Sequence, residues 1–164
     1  DEGNSDLVIG GYEHRFVDFQ KIRNLANRDD TVSMSEYLAF LNQYATSFFC
    51  GVLWNKLFRR ELIERGNVRF HSGLSYGEDF YFVCDYLWNA ERVSFTTAVV
   101  YCYVRHPHSM TVSQCMDSLI HPVRNLRVKR RLYQAMKALY QHRGEYEKYR
   151  GELWKYMIRF SLNQ

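Results

Sequence analysis

Apolar residues at Phe80, Val83, Cys84, Leu87 and Trp88 fall at i, i+3, i+4, i+7 and i+8, the spacing of one face of an α-helix. The glycine-flanked run Gly73-Leu-Ser-Tyr-Gly77 precedes them. Glu78 and Asp79 therefore occupy the helix's first turn, where unpaired N–H groups and the helix dipole favour negative charge. Upstream, Asp6-Leu-Val-Ile-Gly-Gly-Tyr12 is a short apolar run that suits a buried strand. Its glycine pair permits close approach of another backbone or a ligand, or marks a bulge. Residues 14–20 predict a weak strand, and Arg23–Thr31 a polar loop. Ser33-Met-Ser-Glu36 has the spacing of a capping box, which predicts a helix to about Thr46 burying Leu38, Leu41 and Ala45. After a break near Cys50-Gly51, Trp54, Leu57, Phe58 and Leu62 mark one face of a helix over Trp54–Arg65, with Gly66 as its C-cap.

Val68-Arg-Phe70 reads as a short extended piece leading into the glycine loop. Beyond the acidic helix start, Val93–Thr97 and Val99–Val104 read as two β-segments, rich in β-branched and aromatic residues. Arg105–Thr111 is a loop with turn chemistry at Pro107. From about Val112 the pattern turns helical. Pro122 starts or kinks a long basic helix to Tyr140, and Gly144 separates it from a last helix over about Glu145–Leu162.

Composition adds three constraints. At 164 residues, 46% hydrophobic and 24% charged, the chain has the size and make-up of one folded domain. Its 13 Tyr and 11 Phe imply dense aromatic packing, or a surface for stacking on flat ligands such as sugars. Charge is uneven: residues 1–110 carry 11 Lys+Arg against 14 Asp+Glu, and residues 111–164 carry 11 against 4. A basic tail half suits phosphate-rich partners. Cys50, Cys84, Cys102 and Cys115 lie far apart in or beside apolar segments, which predicts buried free thiols in a reducing compartment. No signal peptide or membrane-length apolar run is present in the sequence, so the expected location is cytoplasmic. The polar start at Asp1 reads like a segment cut from something longer.

Three places carry candidate chemistry. Glu78 and Asp79 at a loop–helix junction suit general-base work on a substrate hydroxyl, and they are equally ordinary helix-start acids. Arg105, His106, His108 and Ser109 gather donors suited to a diphosphate, with either histidine a conceivable metal ligand; the same run also fits a solvated turn. The helix bearing Arg124, Arg127, Lys129, Arg130, Arg131 and Lys137 reads as a solvated charged face over an apolar stripe, or as a surface for anionic membrane or a partner protein. No motif points to nucleic acid.

One ordered series goes further. Val52-Leu-Trp-Asn-Lys-Leu-Phe-Arg-Arg-Glu-Leu-Ile-Glu-Arg-Gly66 is followed by Val68-Arg-Phe70 and Gly73-Leu-Ser-Tyr-Gly-Glu-Asp-Phe80. Asn89-Ala-Glu-Arg-Val-Ser-Phe95, Tyr101-Cys-Tyr-Val-Arg105 and Ser109-Met-Thr111 come next. Over roughly residues 5–111 this resembles the C-terminal half of bacterial family 2 glycosyltransferases, nucleotide-sugar-dependent enzymes of the GT-A type. The resemblance implies an α/β fold, α+β in this stretch. It is a partial Rossmann-like GT-A fold with a short mixed sheet, flanking helices and a helical C-terminal extension. Residues 1–111 are then the acceptor side of the glycosyltransferase domain, and 112–164 a basic helical extension.

The implied activity is inverting transfer of a sugar from a nucleotide-diphosphate sugar to a saccharide or lipid-linked acceptor, in bacterial cell-surface polysaccharide synthesis at the inner face of the membrane. In that family Asp79 matches the catalytic base and Glu78 the adjacent acid. Trp54, Asn55 and Lys56 match the motif preceding the acceptor region, and Arg105 and Ser109 the loop that closes over the donor diphosphate; with Tyr76 and His106 these are the expected substrate-binding residues. The family holds Mg²⁺ or Mn²⁺ through an Asp-x-Asp motif in its other half. No Asp-x-Asp occurs here, so no metal ligands are assigned, no cofactor is expected on this stretch, and it is expected to be inactive alone. Missing strands beside Leu7–Ile9 predict an exposed sheet edge, with peripheral membrane contact and self-association as further expected partnerships.

Overall fold

The computed structural model describes residues 5–15, 20–23, 29–44, 47–72, 77–104 and 122–162. The architecture is α+β, with a mixed sheet carrying helices, as a partial Rossmann-like fragment would have. The strands are β1 (Leu7–Arg15), β2 (Gln20–Arg23), β3 (Asp30–Ser33), β4 (Lys56–Phe58) and β5 (Arg92–Val104). The helices are α1 (Met34–Tyr44), α2 (Phe48–Gly51), α3 (Arg60–Arg65), α4 (Glu78–Leu87), α5 (Pro122–His142) and α6 (Tyr146–Leu162). The sheet runs β2-β1-β5-β3, with β4 paired to β1 as well.

β1 is the centre of this sheet, contrary to the exposed edge expected at Leu7–Ile9. β5 runs parallel to it on one side, while β4 lies antiparallel to Leu7–Ile9 on the other. β2 continues that second side along Tyr12–Arg15. The two β-segments expected at 93–97 and 99–104 are one strand with an irregular register. Gly10 stands opposite Thr96, Gly11 opposite Val99 and Tyr12 opposite Tyr101. The glycine pair marks both a bulge and a close approach. A Cβ on Gly10 would lie 2.6 Å from a Val100 methyl carbon.

The expected helix over Trp54–Arg65 forms only at its end, as α3. Residues 56–58 instead pair with Leu7–Ile9, because an open β1 edge satisfies their backbone groups over a length too short for independent helix. Their side chains then alternate: Lys56 is buried, and Leu57, expected in the core, is 73% exposed. Gly66 is not the left-handed cap. Its φ is −83°, and Asn67 takes the positive φ of 46°. Val68 N–H to Ile63 O and Asn67 N–H to Glu64 O complete a Schellman motif one residue later than expected. Gly66 is needed for room, since a Cβ there would meet the Asn89 amide at 2.4 Å.

The capping box forms as read. Ser33 N–H donates to Glu36 Oε2 at 2.8 Å, and the reciprocal Glu36 N–H reaches Ser33 Oγ at 3.4 Å. Leu38 and Leu41 are buried; Ala45 and Thr46 lie outside the described residues. α4 is buried more completely than its stripe predicts. Phe80, Val83, Cys84 and Leu87 face the core, and so do Phe82 and Tyr86. Phe58 packs edge-on against both of those rings, at 5.6 and 4.9 Å. Each fully buried side chain of this size contributes about 1.5–3 kcal/mol. Trp88 is exposed and stacks on His142 instead.

The C-terminal helices enter the same core, through Leu132, Ala135, Met136, Leu139, Tyr140 and Leu153. Arg143 clamps the far end of α4. Its guanidinium donates to the carbonyls of Leu87 (2.7 Å), Trp88 (2.8 Å) and Ala90. These are the acceptors a helix C-terminus leaves unpaired. Arg127, Arg130 and Arg131 are exposed on α5, whereas Lys129 is buried. Cys50 and Cys84 are buried as expected; Cys102 is exposed, because the outer half of β5 is uncovered among the described residues. Cys115 lies outside them. Among the described residues no helix is long and apolar enough to cross a membrane.

Candidate active site

The start of α4 is built on Gly77, which holds a left-handed φ of 77° and accepts the first helical bond, from Tyr81 N–H at 3.0 Å. A side chain has no room there: a Cβ would fall 2.9 Å from both Leu132 methyl carbons of α5. No side chain caps this helix, so Glu78 and Asp79 stand in a first turn whose N–H groups and dipole favour anions. Both are half-buried. Burial pushes the Asp79 carboxyl above its ordinary range, and the neighbouring Glu78 charge adds to this. The neighbouring Leu53 backbone N–H and the Lys56 charge act in the opposite direction.

The segment between α2 and β4 places the Leu53 N–H and Lys56 where both favour the ionised form of Asp79. A turn closed by Lys56 N–H to Leu53 O (2.9 Å) places Trp54 and Asn55 at its tip. Asn55, 1% exposed, pins this turn to the sheet. Its carbonyl accepts from Gly10 N–H at 2.9 Å, and its Nδ2 donates to Gly10 O and Phe49 O, each at 3.2 Å. Lys56, 8% exposed, uses all three ammonium protons on Phe49 O (2.8 Å), Val52 O (2.6 Å) and Asn55 Oδ1 (2.9 Å). Burial pulls this ammonium down to about 7, against the opposing pull of Cys50 and Asp79. Buried charges of this kind persist only when every donor is matched.

Trp54 belongs to an aromatic cluster on the sheet. It stacks on Tyr101 at 4.4 Å and Tyr103 at 5.7 Å, and meets Tyr12 edge-on at 4.8 Å. His14 lies edge-on to Tyr103 at 5.0 Å. Tyr101 and Tyr103 share a face of β5 because they are two residues apart. That Tyr-x-Tyr spacing was readable in the sequence, although its partner Trp54 was not.

The structure thus brings Glu78 and Asp79 together with the Trp54-Asn55-Lys56 turn. Tyr76, Arg105, His106 and Ser109 lie outside the described residues. The Leu53 N–H, which favours the ionised form of Asp79, has no side-chain signature in the sequence. Among the described residues no group of three or more His, Cys, Asp or Glu side chains is placed to hold a metal ion. The Asp29-Asp30 pair is engaged at the sheet: Asp29 accepts from Thr97 N–H and Oγ1, and Asp30 from Thr31 N–H.

Over 99 residues the chain is 32% identical to the uncharacterized glycosyltransferase EpsJ of Bacillus subtilis (strain 168). The similarity is to a glycosyltransferase. The match covers 58% of this chain and 26% of that protein, so the chain spans about a quarter of its relative's length. No family model matches the chain.

Proposed function

We propose that this chain is the acceptor-side, catalytic-base portion of an inverting family 2 glycosyltransferase, working on a nucleotide-diphosphate sugar at the cytoplasmic face of the membrane in cell-surface polysaccharide assembly. The observation that carries the reading is Asp79 itself. It is a half-buried carboxylate in an uncapped first turn, in a chain similar to a glycosyltransferase. A carboxylate raised by burial is a better base than an exposed one, yet the helix start keeps its ionised form accessible.

In this reading Asp79 takes the proton of the acceptor hydroxyl as that oxygen attacks the anomeric carbon. The bond from that carbon to the diphosphate breaks, the configuration inverts, and the electron pair leaves with the nucleotide diphosphate. Glu78 holds the acceptor by accepting from a second hydroxyl. The neighbouring Leu53 N–H favours the ionised carboxylate, and Asn55 fixes Leu53's turn against β1. The test is Asp79→Asn in the full-length enzyme. Transfer is expected to fall by about 10²–10⁴-fold, the usual contribution of a general base, with the fold intact by circular dichroism. Transfer near the wild-type rate refutes the assignment.

A further inference from the structure

We propose that the outward face of α5, together with Trp154 of α6, docks on an anionic lipid surface. None of the 21 positions of α5 is acidic. Arg127, Arg130 and Arg131 are exposed on it. Arg127 and Arg131 stand at i, i+4, where like charges destabilise a helix. Among the described residues no acid pairs with any of the three arginines. Glu145, Glu147 and Glu152, at and beyond the start of α6, pair instead with Lys148, Arg150 and Lys155 of that helix. α6 thus has the alternating signs of a solvated face, and α5 does not.

Apolar groups lie among these cations. Leu126, 57% exposed, shares a row of the helix with Arg130 and Tyr133, at i, i+4 and i+7. Trp154, 53% exposed, meets Tyr133 edge-on at 6.2 Å, which sets its indole beside that row. Lys137 continues the row and lies over the Tyr146 ring of α6 at 5.2 Å. Phosphate and carboxylate headgroups match guanidinium groups through paired hydrogen bonds. The layer just beneath them takes up leucine and tryptophan side chains. An anionic bilayer therefore rewards both kinds of group at once, whereas a nucleic acid matches the charge and the indole but leaves Leu126 in water. Leu132, next in the chain to Arg131, closes on Gly77, so docking through α5 holds the Glu78-Asp79 turn one helix away from the lipid. That this serves a lipid-linked acceptor rests on the function proposed above; the docking itself does not.

The experiment is sedimentation of the chain with vesicles of phosphatidylcholine alone and of phosphatidylcholine with phosphatidylserine at about 2:1, at low and at physiological salt. Binding is expected with the anionic vesicles only, weakening as salt rises. At about fivefold per basic residue, Arg127→Gln, Arg130→Gln and Arg131→Gln together lower the affinity roughly a hundredfold, with the urea melt unchanged. Indole emission is expected to shift to the blue on binding. Trp54 is stacked in the sheet cluster and Trp88 on His142, so the shift should vanish in Trp154→Phe. Equal sedimentation with both vesicles overturns the docking, whether or not the triple variant folds. So does a folded triple variant that binds like wild type, or a blue shift that survives Trp154→Phe. Equally tight binding of a single-stranded oligonucleotide makes the face a general polyanion surface and overturns the lipid assignment. Asp79→Asn is expected to leave vesicle binding unchanged, so failure of the docking and failure of the base assignment are read separately.

Discussion

Gly77 is the position where one methyl group separates the two forces that shape the helix start. At φ 77° an L side chain is disfavoured by about 1–2 kcal/mol, and Gly77→Ala also sets a Cβ 2.9 Å from each Leu132 methyl. Leu132 is buried, so its methyls move by some tenths of an ångström against neighbours already in contact. Overpacking of this kind costs about 1–3 kcal/mol, at the lower end when a flexible side-chain tip gives way. The expected total is about 2–3 kcal/mol, a large share of an ordinary domain's stability. In urea it lowers the unfolding midpoint by about 1–1.5 M if m is about 2 kcal/mol/M. Gly77→Asn keeps the overlap but relieves the backbone term, because Asn visits the left-handed region more readily, so it is expected to lose less than Ala. In the pair Gly77→Ala with Leu132→Ala the overlap vanishes, and the double variant is expected to be more stable than the two single losses predict. A Gly77→Ala chain within about 0.5 kcal/mol of wild type would refute the argument. So would equal losses for Ala and Asn together with strict additivity.

Three further outcomes follow from buried ionisable groups. Arg143→Met leaves the Leu87, Trp88 and Ala90 carbonyls without their guanidinium; a loss of about 2–4 kcal/mol is expected in urea melts, at about 1.5–3 kcal/mol per bond to a charged group with incomplete additivity. Hydrogen exchange should quicken at the end of α4, and an unchanged melt removes the clamp. Lys56 has a folded value of about 7 against 10.5 unfolded, so the unfolded chain binds more protons between those values and stability rises with pH there. Cys50 works oppositely: raised from 9.0 to about 12, it favours the folded state below 9 and loses that contribution as pH climbs toward 12. Lys56→Met should therefore flatten the rise between 7 and 9, and Cys50→Ala the fall above 9. Unfolding midpoints measured across that range, unchanged in slope by either variant, count against the burial of these groups.

Local chemistry read from the sequence was right wherever a few neighbouring residues decide the outcome. Ser33 and Glu36 close their capping box, Leu7 and Ile9 lie in a buried strand, and Phe80 to Leu87 form one helix with two acids in its first turn. In each case the partners are within one or two turns of chain, so periodicity and capping suffice. Residues 56–58 went the other way. Their helical spacing was real, but β1 offers them backbone partners far away in sequence, with Phe58 opposite Leu7 and Lys56 opposite Ile9; a ladder of that kind overrides weak local preference. The same holds for the site. The carboxylates at 78 and 79 could be named from spacing and from the family resemblance, yet the buried cradle of Phe49, Val52 and Asn55 oxygens around Lys56 exists only once α2 and β4 meet. Backbone donors carry no residue identity, and a buried ammonium looks, in sequence, like any other lysine. Which acids begin the helix was written in the chain; what holds and tunes them was decided by packing, because hydrogen bonds and burial depend on distances that only the folded backbone sets.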